Sequence, residues 1–150
     1  MKKKRIICGL YKKIESTNSV CVTIRRGDFL LDKFVKNFYI CTQENFEKAI
    51  EKINSIVNDP QYIVFSDDVD WCKKNMKFPP NTLFESGKDE IWEKLRLMYK
   101  CKNFIISNST FSWWAQYLSQ NDNKIVIAPD EWNKFEYTDP IYDKNWIIMK

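Results

Sequence analysis

The 150-residue chain contains no histidine and only three glycines. Without histidine it lacks the commonest general base and the commonest transition-metal ligand, which disfavours triad hydrolysis and most zinc chemistry. Gly9, Gly27 and Gly87 are too far apart to form the GxGxxG loop of dinucleotide-binding folds. Gly87-Lys88 resembles the end of a P-loop, but Thr82 stands where that loop needs its first glycine, so we interpret the pair as a turn before a helix. A bound phosphate must therefore be held in another way.

The cysteines and the apolar runs set further limits. The five cysteines form no CxxC pair, and an odd number cannot all pair within the chain, so we expect reduced thiols and a cytoplasmic location. There is no apolar run long enough to cross a bilayer, and the basic cluster at residues 2–5 has no apolar segment that would make it a signal peptide. Any membrane contact would be peripheral, at the inner face. We interpret residues 1–13 as a frayed, solvated lead-in.

Hydrophobic periodicity predicts a chain in which strands and helices alternate. Apolar and β-branched runs predict strands over residues 19–24, 62–65, 103–106 and 124–128. Stripes at three- and four-residue steps predict helices over residues 43–57, with Thr42 as N-cap, and over 69–76, 89–100 and 111–118. This alternation is typical of an α/β fold, and it predicts a Rossmann-like parallel sheet with helices on both faces. We assign residues 1–150 to one domain.

Polar clusters follow three of the predicted strands, at residues 25–28, 66–68 and 107–110. Open parallel sheets bind ligands at the carboxyl ends of their strands, so the three clusters are expected to share one edge. Arg25 and Arg26, beside a glycine turn, present fixed positive charge suited to a phosphate or pyrophosphate. An arginine pair at a strand end can also be a solvated surface feature. The helix that begins after residues 107–110 offers a second anion contact at its N-terminus.

Two further pairs have alternative interpretations. Asp67 and Asp68 point to opposite sides at a strand end, so one can cap the next helix while the other faces the cleft. Metal binding by this pair is a weaker alternative, because no other cluster of hard ligands accompanies it. Trp113 and Trp114 could stack on a base or sugar, but at helix-core spacing we interpret them as core residues.

Four segments, taken together, carry a family resemblance: VTIRRGDF at 22–29, FSDDVDWCKKN at 65–75, FIISNSTFSWWAQYLS at 104–119 and VIAPDEW at 126–132. In order and spacing they resemble the alpha-1,2-fucosyltransferases of glycosyltransferase family 11, over residues from about 14 to 135. The resemblance implies the nucleotide-sugar-binding half of a GT-B-type enzyme. It also implies inverting, metal-independent transfer of fucose from GDP-fucose to the 2-hydroxyl of a galactose-containing glycan acceptor, with no other cofactor.

The resemblance also implies roles for individual residues. Arg26 would pair with the donor pyrophosphate and stabilise the charge on departing GDP. Asp28 would orient the guanidiniums or contact the acceptor, and it is the default general base in a chain without histidine. Arg25, Gly27 and Asp67 would complete the GDP side of the site. The stretch expected to bind phosphate and nucleoside consists of Ser107, Asn108, Ser109, Thr110, Phe111 and Ser112.

The chain departs from the family pattern in two ways. Thr23 stands where members usually carry histidine, which removes one polar contributor. Members are also about twice as long, so the chain resembles the donor-binding half alone. Three hypotheses follow: a compact or truncated transferase, aided by an N-terminal partner chain that supplies acceptor contacts; a catalytically inactive remnant that binds GDP or GDP-fucose; and a nucleic-acid binder. The last is weakest, because the aromatic residues lie at helix-core spacing instead of in an exposed basic stripe.

Overall fold

The computed structural model describes residues 2–27, 30–31, 41–133 and 141–149, with the side chains of residues 2–6 left aside. In chain order the elements are α1 (Lys2–Ser16), β1 (Asn18–Ile24), α2 (Gln43–Ile56), β2 (Pro60–Ser66), α3 (Val69–Asn75), β3 (Leu83–Phe84), α4 (Ile91–Tyr99), β4 (Asn103–Ile105), α5 (Thr110–Leu118), β5 (Val126–Pro129) and β6 (Ile147–Met149). None of the described helices is long and apolar enough to cross a bilayer.

The described strands form one sheet in the order β3-β2-β1-β4-β5-β6, and every pair of neighbours is parallel. This is the strand order of a doubly wound Rossmann fold, so the predicted Rossmann-like parallel sheet is confirmed. The order reverses between β1 and β4, which pair side by side from Val20 opposite Asn103 to Val22 opposite Ile105. Chain segments leaving these two strands diverge, and a crevice therefore lies between them.

Alternation along the strands places a core on each face of the sheet. In β1, Cys21 packs on the same side as Ile14 of α1 and Leu97 of α4. Its neighbour Val22 packs on the opposite side with Ile53 of α2. Because successive strand side chains point to opposite faces, a strand covered by helices on both sides is buried on both faces, as β1 is from Ser19 to Ile24. Burying an aliphatic side chain of this size contributes about 1.5–3 kcal/mol, so both layers stabilise the sheet.

Residues 2–16 form helix α1, whereas the sequence interpretation gave residues 1–13 as a frayed lead-in. Ile7, Leu10, Tyr11 and Ile14 recur at three- and four-residue steps, and they pack on the core face shared with α4 and α5. Ile14 is fully buried. The many lysines around this stripe obscured it in the sequence. A helix of this length gains most of its stability from such packing.

The predicted helix over residues 43–57 is confirmed, and its cap is the expected one. The Asn45 backbone N–H donates to the Thr42 hydroxyl, and the Thr42 backbone N–H donates to the Asn45 side-chain oxygen. This reciprocal capping box fixes the start of α2. Strands β3 and β6 were not predicted, because two and three residues are too few to show a period.

Candidate functional site

A cavity of about 340 Å³ lies at the carboxyl ends of β1, β2 and β4, at the point where the strand order reverses. This is the location at which doubly wound folds bind ligands, and the volume lies within the usual range for small-molecule sites. Six of the predicted site residues line it: Arg25, Asp67, Ser107, Ser109, Phe111 and Ser112. The three polar clusters that are far apart in sequence therefore do meet at one edge of the sheet.

The two arginines after β1 have different environments. Arg25 lines the cavity, whereas the Arg26 guanidinium lies over the Trp71 indole of α3, 3.1 Å from the ring centroid. The strand period explains why the two side chains diverge. Arg25 follows the face of the sheet on which Thr23 lies, and Arg26 follows the other face, on which Ile24 lies. Arg26 Nε is buried and makes no hydrogen bond with the described residues. The pyrophosphate role assigned to Arg26 from the sequence stays a prediction. Arg25 lines the cavity and Arg26 does not, so Arg25 is better placed to contact a pyrophosphate there.

Asp67 holds the turn that follows β1. Its Oδ1 accepts a 2.9 Å hydrogen bond from the Arg26 backbone N–H, and its Oδ2 lies 3.4 Å from Arg25 Nε. Gly27 lies directly against the same carboxylate, because a Cβ at residue 27 would be 2.5 Å from Asp67 Oδ2. Glycine is needed here for close approach, not for an unusual backbone angle. Asp67 thus positions Arg25 in the cavity wall.

Asp68 serves the other role considered for the aspartate pair. The Trp71 backbone N–H donates to Asp68 Oδ1 over 3.2 Å, which makes Asp68 the N-cap of α3. The two carboxylates therefore diverge as the strand period requires. Within the part of the chain that the structure describes, no three His, Cys, Asp or Glu side chains converge on a point that could hold a metal ion.

Hydroxyl groups form the floor of the cavity beside β4. The Ser107 backbone N–H donates to Thr23 Oγ1 over 3.0 Å, and Ser107 Oγ lies 3.5 Å from Ser112 Oγ. All three residues are buried. Ser109 is the N-cap residue of α5, and among the described residues its side chain makes no capping hydrogen bond. The positive end of α5 therefore faces the cavity with its capping position open to a ligand anion.

Some predicted site residues lie elsewhere. The buried Asn108 side chain donates to the Trp132 backbone carbonyl over 2.9 Å and accepts from the Cys41 thiol, so it fastens neighbouring segments together. Gly27 and Thr110 do not line the cavity either, and Thr110 is exposed. Asp28 lies outside the described residues, so the catalytic role assigned to it stays a prediction.

Helix α4 supplies a cavity wall that sequence reasoning missed. Ile91, Lys94 and Met98 line the cavity from one helical face, at spacings of three and four residues. The Lys94 ammonium lies 3.5 Å from Oε2 of Glu85, which follows β3 and is fully buried. Burial and the neighbouring Asp89 carboxyl raise the pKa of Glu85, against the opposing effect of Lys94. In the sequence, the indication of this wall was the row formed by Ile91, Lys94 and Met98 on one face of α4. Many surface helices have such a row of apolar residues with a lysine, so it did not point to a site.

The tryptophan pair of α5 is only partly core. Trp113 stacks on Tyr117 with ring centroids 4.9 Å apart, and its indole N–H donates to the Ile141 carbonyl. Trp114 is 50% exposed and Tyr117 is 59% exposed, so interpreting both tryptophans as core was wrong for Trp114. Consecutive helical residues differ by about 100° in direction, and both cannot face the sheet. Neither tryptophan lines the cavity.

A family model and two curated proteins match most of the chain, and all three are glycosyltransferases. The family model described as Glycosyl transferase family 11 matches residues 4–150. The O-antigen biosynthesis glycosyltransferase WbnK of Escherichia coli is 34% identical over 145 residues, which cover 93% of this chain and 48% of that protein. An alpha-1,2-colitosyltransferase of Escherichia coli is 35% identical in an alignment 152 positions long, which covers 91% of this chain and 49% of that protein. The chain thus spans about half the length of these curated relatives.

More distant proteins match as well. Galactoside 2-alpha-L-fucosyltransferase Sec1 of Mus musculus is 30% identical over 112 residues, which cover 69% of this chain and 29% of that protein. Among solved structures, the NodZ alpha-1,6-fucosyltransferase co-crystallised with GDP superposes with a TM-score of 0.54, at 16% identity, over 77% of this chain and 40% of that one. At that identity the structural match is evidence for the fold alone.

Proposed function

The chain belongs to glycosyl transferase family 11, and from that membership we propose that it binds GDP-fucose and transfers fucose to the 2-hydroxyl of a galactose-type acceptor with inversion. The observation that carries the proposal is the convergence of Arg25, Asp67 and the start of α5 on one cavity at the reversal of the strand order. An arginine and a helix N-terminus that border the same cavity suit the diphosphate of a nucleotide sugar.

The proposed chemistry breaks the bond between the sugar C1 and the diphosphate oxygen. Negative charge then grows on departing GDP, next to Arg25 and the N–H groups at the start of α5. Fixed donors of this kind stabilise a transition state because they need no reorganisation as charge develops. The acceptor hydroxyl oxygen forms the new bond to C1 from the opposite side, and its proton passes to a carboxylate, for which we propose Asp28. The proposed reaction uses no metal ion.

The choice of fucose as the donor sugar rests on the names of relatives. Sec1 of Mus musculus is named a fucosyltransferase. One Escherichia coli relative is instead named for colitosyl transfer, so a colitosyl donor is the sharpest competitor. The linkage and the acceptor are likewise proposals, because relatives of about twice this length carry the named activities.

A second candidate is a chain that binds GDP-fucose without transferring the sugar. The observation in its favour is that the chain spans about half the length of its Escherichia coli relatives. An N-terminal partner chain that supplies acceptor contacts belongs to the first candidate; in the second, no transfer occurs even with such a partner. Both candidates require the same donor cavity.

Calorimetric titration with GDP tests the donor site. We expect wild-type protein to bind GDP, and Arg25→Met to weaken binding about 10- to 100-fold, as loss of one charge-assisted contact implies. Lys52→Met removes the same charge from the exposed surface of α2 and serves as the matched control. Arg26→Met tests the sequence-based assignment, and we expect it to weaken binding less than Arg25→Met. A folded wild-type protein that does not bind GDP would refute the proposal.

Release of GDP, measured with GDP-fucose and a galactoside, separates the two candidates. Turnover supports the transferase. Tight GDP binding without turnover, even after addition of the N-terminal half of a relative, favours the second candidate. Faster turnover with a colitosyl donor than with GDP-fucose would overturn the choice of sugar.

A further inference from the structure

The cavity wall contains a second cation, contributed by helix α4, and that cation is not among the residues predicted from the sequence. We propose that Lys94 of α4 is a direct contact for the diphosphate of the bound nucleotide, and that Glu85 is its positioning residue. This inference rests on the proposed function, since it names a further ligand contact in the same cavity.

The geometry presents the ammonium of Lys94 to the cavity and keeps the carboxylate of Glu85 away from it. Lys94 lines the cavity and its side chain is 18% exposed, whereas the Glu85 side chain is fully buried behind it. An anion in the cavity therefore has access to Lys94 and not to the Glu85 carboxylate. The neighbours of Lys94 on the same helical face, Ile91 and Met98, border the same cavity, so α4 supplies one continuous wall with Lys94 in its middle.

Glu85 is held in a way that suits a fixed counter-charge. Its backbone N–H donates to the Val64 carbonyl over 2.9 Å, which extends the pairing of β2 with β3. The Ser86 hydroxyl donates to Glu85 Oε1 over 3.1 Å. Oε2 makes no hydrogen bond with the described residues, and Lys94 is its ion-pair partner at 3.5 Å. A buried carboxylate atom with one cationic partner fixes where that cation lies.

Arg25 and Lys94 together match a diphosphate better than either cation does alone. Arg25 extends from the end of β1 and Lys94 from α4, so the two cations border one 340 Å³ space from different elements. Each has its own carboxylate, Asp67 for Arg25 and Glu85 for Lys94, and in both pairs the carboxylate is the more buried member. Two cations and the Asp67 carboxylate therefore line the space, which leaves a net positive charge facing a bound diphosphate.

Titration calorimetry of the whole chain with GDP, inorganic pyrophosphate and guanosine tests the proposal. We expect Lys94→Met to weaken binding of GDP and pyrophosphate about 10- to 100-fold and to leave guanosine binding unchanged. Lys94→Arg keeps the charge and is expected to retain most of the affinity. The matched control is again Lys52→Met, for which we expect a change of no more than about twofold.

Removing Lys94 alone leaves the Glu85 carboxylate buried without a cation, which destabilises the fold. The double variant Glu85→Gln/Lys94→Met removes both charges at once and keeps the test valid if the single variant does not fold. Glu85→Gln alone tests positioning: the ammonium remains but is no longer held, so we expect a smaller loss of pyrophosphate affinity than for Lys94→Met.

The outcomes separate this inference from the proposed function. Unchanged pyrophosphate and GDP affinity in folded Lys94→Met or in the double variant overturns the inference and leaves the proposed function standing. An equal loss for guanosine overturns the diphosphate assignment. If pyrophosphate binding depends on Lys94 but GDP binds no more tightly than pyrophosphate, the result supports the inference and refutes the proposed donor. A wild-type protein that binds neither ligand overturns both.

Discussion

Substitution of Gly27 by alanine tests whether the contact between the turn after β1 and Asp67 organises the site. A Cβ at residue 27 would lie 2.5 Å from Asp67 Oδ2, and 3.3 Å from its Cγ, so the carboxylate must move. Movement breaks the hydrogen bond from the Arg26 backbone N–H to Oδ1 and the ion pair with Arg25. The backbone itself tolerates alanine, because the φ of Gly27 is not in the left-handed region.

The magnitude follows from the contacts that are lost. A hydrogen bond to a charged group contributes about 1.5–3 kcal/mol, and the lower end applies because this contact is exposed to solvent. The half-exposed Arg25 pair adds at most about 1 kcal/mol. Replacing glycine by alanine also restricts the unfolded chain, which returns about 0.4–1 kcal/mol. We therefore expect Gly27→Ala to lower the free energy of unfolding by about 0.5–2 kcal/mol, or about 1–8 °C in Tm.

Urea unfolding of four proteins measures the effect: wild type, Gly27→Ala, Asp67→Ala and the double variant. Once Asp67 is alanine, the Cβ at residue 27 no longer meets a carboxylate, so Gly27→Ala is expected to be neutral or slightly stabilising in that background. Gly27→Ala should also weaken GDP binding about tenfold, because Arg25 loses its anchor. Equal destabilisation by Gly27→Ala in both backgrounds would refute the proposed contact.

Two further predictions concern buried polar groups around the cavity. Thr23→Val removes the acceptor of the buried Ser107 backbone N–H, so we expect the free energy of unfolding, measured by urea titration, to fall by about 1–3 kcal/mol. Thr23→Ser keeps the hydroxyl acceptor and should retain most of the wild-type stability. Burial raises the pKa of Glu85 in the folded state. Between the ordinary carboxyl pKa and this raised pKa, the folded state binds more protons than the unfolded state. The contribution of Glu85 to stability is therefore lost as the pH rises through the folded-state pKa. Glu85→Gln should therefore flatten the wild-type decline in stability with rising pH, measured by thermal unfolding; the same decline in both proteins would show that another group causes it.

The relation between sequence and structure differs from one element to the next. The apolar stripe and the Thr42 cap sufficed to place α2, because helix periodicity and capping are local properties. Helix α1 was missed, since its stripe is interrupted by lysines and it is stabilised by packing on the sheet. Trp114 was misassigned because spacing alone does not show how far a helix rotates toward the core.

The site residues likewise divide into those placed by local sequence and those placed by contacts between distant residues. Alternation at a strand end, which is again local, predicted that one of Asp67 and Asp68 caps the next helix while the other faces the cavity, and the structure shows that Asp68 is the cap. The positions of Arg25 and Arg26 also depend on alternation, but their partners Asp67 and Trp71 are about 40 residues away and become neighbours only when β1 and β2 pair. No spacing along the chain predicts that contact.

The sequence by itself determined the layered α/β architecture, the family and the edge of the sheet at which the polar clusters lie, because hydrophobic period and strand-end motifs are written in consecutive residues. Only the tertiary structure decided which side chains face the cavity. It placed Arg25 instead of Arg26 in the cavity wall, turned Asn108 away, and brought Lys94, which pairs with the buried Glu85, into that wall. The physical reason is that cavity lining depends on strand pairing and helix rotation, which are set by long-range packing.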